Sequence, residues 1–396
     1  MDSVLLAAFA AVMLATVAFG STRLALGEVL GIEVGSLFYA GLALSAFFAG
    51  RGFSATVSGF IYERRVTLAR RLPGLALFGI AATVYAQGLT KDPVLLTILA
   101  GLQGILAGLT WPLVQTSVAL HSRGSTLILS VYFALGSIGI SLGRALYPTL
   151  ASQGVSRVFM TASMLYMAAG AVLLAGFQSL TLGSTRQEAS MGAWRETLAL
   201  LLKARRALLV NLASGFSVGL NSQVLYPVLV DYKGVDRYTA SYALAAGGLA
   251  SIPSKLLVGA LADATSLNRA LLVTSISIAA SLASLSIFDG IVAAAAAAAY
   301  LAFSSSVVPL ARMTAAMEGK KLGAPATMVG VSNTLSNIGS MIAPVLAQPL
   351  VALPCGLVAY AVPILAAATT PRRKGRSVEE ARPTWAVSGS STGRGT

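Results

Sequence analysis

The sequence has little charge for its length. Only 11% of its 396 residues are charged, while 56% are hydrophobic and the mean hydropathy is +0.78. Because a soluble domain has roughly a quarter charged residues, this composition excludes an ordinary water-soluble domain. The single cysteine, Cys355, excludes an intramolecular disulfide or a cysteine metal site, and the single histidine, His121, excludes a histidine-rich metal centre.

Long apolar runs separate the few clusters of charge. A membrane helix needs about 20 apolar residues to cross the hydrocarbon of a bilayer. By that measure the pattern predicts an all-α membrane protein with twelve transmembrane helices. The predicted segments are 3–26, 35–60, 72–90, 93–120, 125–150, 156–178, 207–229, 238–262, 269–288, 290–312, 325–349 and 351–369.

The net charge of +14 could indicate nucleic-acid binding, but its placement favours another interpretation. With the N-terminus inside the cell, twenty of the 28 basic residues fall in cytoplasmic turns and the tail. The opposite side has only Lys91, Arg157, Lys233 and Arg237. Basic loops resist translocation and so set orientation. We therefore expect a plasma-membrane protein with both termini cytoplasmic and no nucleic-acid partner.

Polar stretches divide the chain into four parts. Residues 1–178 and 207–370 are each expected to form a bundle of six helices, and 179–206 is a cytoplasmic central loop whose basic part is amphipathic. The tail, 371–396, is rich in Ser, Gly and Arg and is predicted to be disordered.

One short pattern occurs in both halves. "GFIYERR" at 59–65 places Gly59 and Glu63 four residues apart, and "GALAD" at 259–263 repeats this with Gly259 and Asp263. The offset is 200 residues, and each copy lies at the end of the second predicted span of its half. An internal duplication of the kind common in transporters explains this repetition.

At these residues the chain resembles the major facilitator superfamily, whose loop between spans two and three carries Gly-x-x-x-Asp-Arg-x-Gly-Arg-Arg. Gly59, Glu63 and Arg64 fit its first three fixed positions, with Glu for Asp, and the second copy has Ala264 in place of the arginine. The stretches 33–50 and 329–347 are similar to the second and eleventh spans of that family. The resemblance covers about residues 3–370 and implies two pseudo-symmetric six-helix bundles that alternate access to a central site.

The resemblance also implies a gating role for the repeated motif. Glu63 would face the start of span eleven near Pro325, and Asp263 the start of span five near Ser125. Acids are attracted to the positive N-terminal ends of helices, so these contacts would hold the cytoplasmic side closed. The alternative is a solvated turn with ordinary inside-facing charges.

Two departures from the family pattern weaken the interpretation as a multidrug–proton antiporter. Ala100 stands three residues before Gln103-Gly104, where many members have an arginine. Gly143 is followed by Arg144, where drug antiporters have a proline.

Four basic residues remain inside the predicted spans: Arg23, Arg51, Arg144 and Lys255. All fourteen acids are assigned to the N-terminus, turns and tail, so we expect a core with cations and no acid. Intramembrane charges usually mark a cavity or a function. Arg23 lies near the outer end, where a side chain reaching toward water would explain it.

Arg51, Arg144 and Lys255 are candidate contacts for an anionic substrate, which a guanidinium binds well. The alternative is that they bind backbone carbonyls or structural water. Further candidate substrate contacts are Trp111, Gln115, Asn221, Gln223 and Tyr226. Polar residues in membrane helices also hold helices together, which is the competing interpretation for this second group.

We conclude from the sequence that this is a transporter for a small organic anion, acting as a monomer in the lipid bilayer without a cofactor. Efflux of neutral or cationic hydrophobic compounds is the alternative within transport. A membrane-embedded enzyme usually needs clustered acids holding Mg²⁺, and a sensor would need a soluble domain, so both are disfavoured.

Overall fold

The computed structural model describes residues 3–64, 66–121, 126–177, 205–321 and 325–369, and every regular element in these ranges is helical. The main helices are α1 (Ser3–Gly27), α2 (Leu37–Arg64), α3 (Val66–Gln87), α4 (Pro93–His121), α5 (Thr126–Ala151), α6 (Val155–Gly176), α7 (Arg205–Gly219), α8 (Ser222–Pro227), α9 (Arg237–Ala264), α10 (Leu267–Ile287), α11 (Gly290–Lys321), α12 (Pro325–Ile342), α13 (Ala347–Val351) and α14 (Val362–Thr369). Nearly all of the predicted central loop, and the whole tail, lie outside the described residues.

Seven helical stretches in the described ranges are long and apolar enough to cross a membrane. They are Ser3–Glu33, Pro93–Gln115, Val155–Gly176, Ala207–Tyr232, Arg237–Ala262, Leu267–Ile287 and Gly290–Ala311. These helices confirm the all-α membrane class. Helices suit a membrane because they satisfy every backbone polar group internally, as hydrocarbon requires. The predicted segment 351–369 is divided between a 3₁₀ helix, Gly356–Ala361, and the short α14.

Two helices are each extended by a short π-helical segment. Glu28–Glu33 continues α1, and Val228–Tyr232 continues α8. They begin 200 residues apart, the same offset as the repeated Gly59 and Gly259 motif. π-helical turns are rare in proteins, and those that occur are often at functional sites. Because such turns are rare, two of them at the same offset are a structural trace of the duplication.

The helices pack closely through small residues. Among the first six, α1 packs on α5 and α6, and α2 packs on α4. In the later part, α9 packs on α11, and α7 packs on α12. Gly104 of α4 illustrates the contact, because a Cβ there would collide with the backbone oxygen of Phe47 on α2. Such approaches let membrane helices associate through van der Waals packing.

The seam is the surface where α1, α2 and α5 meet α8, α12 and α9, respectively. We call its two ends the Glu28 end, where α1 finishes and α9 begins, and the Glu63 end, where α2 and α9 finish. The Glu28 end is tightly closed. A Cβ on Gly27 would lie 2.5 Å from the backbone oxygen of Gln223, and one on Gly31 would lie 2.5 Å from Cβ of Pro227.

Candidate functional site

Arg23 lies at the centre of the buried polar network. Its side chain is 0% exposed, so the expectation that it reaches toward water is wrong. Nη1 donates to Oε1 of Gln223 at 2.9 Å, and Nη2 donates to Oε1 of Gln103 at 3.0 Å. The guanidinium also stacks 4.6 Å from the ring centre of Phe19 and 4.1 Å from that of Phe47. Two amides and two aromatic faces therefore stabilise a cation that has no ion-pair partner among the described residues.

A cavity of about 250 Å³ opens beside this network, and its described lining comes entirely from the first six helices. It brings together three predicted site residues, Arg51 of α2 and Trp111 and Gln115 of α4. The remaining lining includes Phe19, Phe47, Gln103, Tyr132, Phe133, Ser137 and Tyr166. The lining combines aromatic faces with a few polar groups, which is typical of small-molecule sites.

Arg51 supplies the accessible positive charge of this cavity. Its side chain is only partly buried, and its guanidinium forms no hydrogen bond or ion pair with any described residue. Tyr132 of α5 lines the same cavity. Because a charged group at this depth normally finds a partner, an unengaged guanidinium is available to an anion that enters the cavity.

Arg144 lies in the seam and not in the cavity. Its side chain is 8% exposed, and Nη1 donates to the backbone oxygen of Leu244 on α9 at 2.9 Å. The hydroxyl of Ser241 donates in return to the backbone oxygen of Arg144. This is the backbone-carbonyl alternative that the sequence left open, so in this structure Arg144 joins α5 to α9.

Lys255 also belongs to the seam face of α9. Gly248, which meets Ser141 and Arg144 of α5, precedes it by seven residues, or about two helical turns. This spacing places Lys255 on the same face of α9, about two turns closer to the Glu63 end. Its side chain is half-buried, and no described residue forms a hydrogen bond or ion pair with it.

The three predicted contacts of span seven cluster at the closed Glu28 end. Gln223 is 0% exposed, and its Nε2 donates to the backbone oxygen of Ala40 at 2.7 Å. Tyr226 is also fully buried, whereas Asn221 is half-buried and its Oδ1 accepts from the Ser222 hydroxyl at 2.8 Å. The structure therefore separates these residues from the cavity that holds Arg51.

Glu28 corrects the expectation that no acid lies in the core. It is 3% exposed, within the apolar stretch Ser3–Glu33. Its Oε1 lies 2.8 Å from Nη1 of Arg237, and its Oε2 accepts from the hydroxyls of Tyr147 and, at 3.4 Å, Tyr226. The two tyrosine rings meet edge to face, with centroids 5.4 Å apart. One carboxylate thus connects α1, α5, α8 and α9.

The predicted gating residues are described only in part. Gly59, Glu63, Arg64 and Asp263 have a helical backbone, while their side chains lie outside the described set. A Cβ on Gly259 would meet no described atom within 4 Å. No described residue therefore packs closely against this glycine.

Comparison with known proteins gives one consistent architecture. The family profile of the Major Facilitator Superfamily matches residues 4–344. Among solved structures, the nucleoside transporter NupG superposes with a TM-score of 0.70 at 12% identity, covering 92% of this chain and 95% of its own. An auto-inhibited POT family peptide transporter superposes with a TM-score of 0.67 at 13% identity, with the same coverage of 92% and 95%. No curated protein matches the sequence.

Proposed function

This chain belongs to the Major Facilitator Superfamily, and from that premise we propose that it is a secondary transporter for small organic anions. Its twelve crossings would form two six-helix halves, 1–178 and 207–370, joined by the cytoplasmic loop 179–206. The halves would rock to expose a site near mid-membrane to each side in turn, as transporters built from repeats do. It would act as a monomer in the plasma membrane.

The observation that carries the proposal is an imbalance of buried charge. Arg51 lines the cavity and Arg23 binds Gln103 in its wall, and neither arginine has an ion-pair partner among the described residues. The buried acid nearest along the chain, Glu28, already pairs with Arg237. Since a cation inside a membrane costs about 2.5–3.5 kcal/mol by insertion scales, an anionic ligand is the partner that would offset this cost.

The proposed orientation assigns the Glu28 end to the outside. The basic turns of the sequence would then lie in the cytoplasm. The close contacts of Gly27 and Gly31 support an outer side that is closed. Gly59, Glu63, Arg64 and Asp263 would act in the opposite state, when the cytoplasmic ends meet. Arg144 and Lys255 would contribute positive charge along the path of the substrate.

Uptake into proteoliposomes tests the proposal. Purified protein should accumulate radiolabelled organic anions, and Arg51→Ala and Lys255→Ala should each reduce the rate. Arg157→Ala removes an exposed basic residue at the start of α6 and is the matched control. Uptake that is equal for anions and for neutral analogues, and that is insensitive to Arg51→Ala, would contradict an anionic substrate.

A neutral ring-bearing compound is the second candidate, because aromatic side chains dominate the cavity lining. Efflux of hydrophobic compounds would use such a lining without Arg51. The same experiment distinguishes the two, since transport of a neutral ring should survive Arg51→Ala while transport of an anion should not.

A further inference from the structure

We propose, building on the proposed function, that the cavity of the first six helices binds an aromatic monocarboxylate with one ring. The carboxylate would meet Arg51 and the side-chain amide of Gln103, and the ring would lie among Trp111, Tyr132 and Tyr166. This assignment defines the charge, the size and the shape of the ligand.

The charge of the ligand follows from which groups are already engaged. Arg23 uses both terminal nitrogens on Gln103 and Gln223 and both faces on Phe19 and Phe47. Among the described residues of the cavity wall, Arg51 is the guanidinium with its donors free for a ligand. A guanidinium pairs with a single carboxylate through two parallel hydrogen bonds, so one negative charge is the natural complement.

Gln103 offers a second donor beside Arg51. Its Oε1 is held by Arg23 at 3.0 Å, which leaves Nε2 as the atom that can donate. That Nε2 is buried and has no acceptor among the described residues, although Gln103 is only 1% exposed. The side chain of Tyr166 interacts with that of Gln103, yet no described acceptor meets the geometry of a hydrogen bond with Nε2. A buried donor without an acceptor costs free energy, and a ligand carboxylate would satisfy it.

The absence of acids on the described lining excludes a second kind of ligand. An amino acid carries an ammonium group as well as a carboxylate, and an ammonium in a site of this depth needs an anionic partner. No described residue on the cavity wall is acidic. Zwitterions and cations therefore fit this cavity poorly, whereas a simple carboxylate fits it.

The size and the lining define the body of the ligand. The cavity volume of about 250 Å³ is below the roughly 300–1,000 Å³ of pockets that take drug-sized molecules. Trp111, Tyr132 and Tyr166 present aromatic surface from three different helices, α4, α5 and α6. Aromatic rings favour offset or edge-to-face packing against such surfaces, so a single planar ring matches both the volume and the walls.

Isothermal titration of the full-length protein in detergent with benzoate tests this assignment. Benzamide has the same shape without charge, benzylamine has the opposite charge, phenyl phosphate has a second negative charge, and acetate has no ring. We expect benzoate to bind at least about tenfold more tightly than each of the four. Benzamide and benzylamine lose the charged hydrogen bond to Arg51, the second charge of phenyl phosphate has no counter-charge, and acetate loses the ring contacts.

Two variants test the residues independently. Arg51→Gln removes the charge, and Gln103→Glu replaces the free donor with a carboxylate facing the ligand; each should weaken benzoate binding by about tenfold or more. Arg51→Lys should retain part of the affinity, and Arg157→Gln should leave it unchanged. Size-exclusion profiles identify any variant that fails to fold, in which case the other variant decides.

The outcomes separate this inference from the proposed function. Benzamide binding as tightly as benzoate, or benzoate binding that is insensitive to both variants, would overturn the inference. Tighter binding of phenyl phosphate or acetate, still dependent on Arg51, would overturn the one-ring monocarboxylate and leave an anion transporter in place. If no anion binds and none is accumulated by proteoliposomes, the proposed function fails as well.

Discussion

Oε1 of Glu28 lies 2.8 Å from Nη1 of Arg237 and joins the end of α1 to the first residue of α9. Glu28 is 3% exposed, while Arg237 is more than half exposed at the surface. The ion pair crosses the seam, and the hydroxyls of Tyr147 and Tyr226 complete the shell of the carboxylate. The pair can exist only while the Glu28 end is closed, so it stabilises that state.

Removal of Arg237 should open the Glu28 end more often. In Arg237→Ala, the buried carboxylate keeps two tyrosines but loses its counter-charge, which costs the closed state about 1–3 kcal/mol. Spin labels at Leu89→Cys and Ile291→Cys, two exposed positions at this end, should report a longer distance. The background needs Cys355→Ser, because Cys355 is exposed. Lys233→Ala is the control, since Lys233 pairs with Asp289 without crossing the seam; an equal shift there would contradict the role of Glu28.

A methyl group at Gly27 should also prevent closure. In Gly27→Ala the new Cβ would lie 2.5 Å from the backbone oxygen of Gln223, and backbone atoms on two packed helices have little freedom to withdraw. The same spin-label pair should show the open distance, and transport should fall. Gly259→Ala, whose Cβ would meet no described atom within 4 Å, should not open this end. Normal closure in Gly27→Ala would mean that α1 and α8 adjust easily.

Arg144 and Arg51 should give different kinetic defects. Arg144→Ala removes a hydrogen bond from a charged donor to Leu244 across the seam, a bond of about 1.5–3 kcal/mol. The substitution changes the balance between states without touching the cavity, so the maximal transport rate should change while ligand affinity stays the same. Arg51→Ala should instead weaken binding. Ligand affinity from titration and maximal rate from transport, measured on both variants, check this. A loss of affinity in Arg144→Ala would mean that Arg144 contacts the substrate after all.

Asp236 should make the stability of α9 depend on pH, with a loss of stability at low pH. Its Oδ1 accepts from the backbone N–H of Thr239 at 3.0 Å and caps the helix. This hydrogen bonding holds the pKa of Asp236 below its ordinary value. A lowered folded pKa means that the stabilisation is complete above the unfolded pKa and is lost as pH falls through the folded one. The melting-temperature difference between wild type and Asp236→Ala should shrink from about pH 6 toward about pH 3. Asp236→Asn retains a capping side chain that does not titrate, so its cap should not weaken over this range.

The sequence predicts the helices, and it identifies three residues that share one cavity, because both depend on local periodicity. Apolar runs defined the helices, and the positions of Arg51, Trp111 and Gln115 on their helices brought them to one cavity. Arg144 shows the limit of this reasoning. Arg144 follows Ser137 and Ser141 at helical spacing, yet Ser137 lines the cavity and Arg144 bonds to α9. Which side of a polar stripe meets a neighbour is set by the rotation of the packed helix, and this rotation is not encoded in spacing.

The expectations for Glu28 and Arg23 are wrong for a different reason. The sequence predicts that the first span ends at residue 26, but the π-helical Glu28–Glu33 carries the span further. With Glu33 as the end, Arg23 lies ten residues, or about 15 Å, inside. One signal was present in the sequence: Arg23 and Gln223 occupy equivalent positions at the 200-residue offset, and in the structure they bond to each other.

The long chain separation between Arg23 and Gln223 has a consequence for biogenesis. When Arg23 is translated, Gln223 lies 200 residues ahead, and Arg237 lies 209 residues after Glu28. At about 5–20 residues per second, the first helix waits roughly ten to forty seconds before these partners of its arginine and its glutamate emerge. The nascent first half therefore holds two polar groups whose shells remain incomplete until the second half has been inserted.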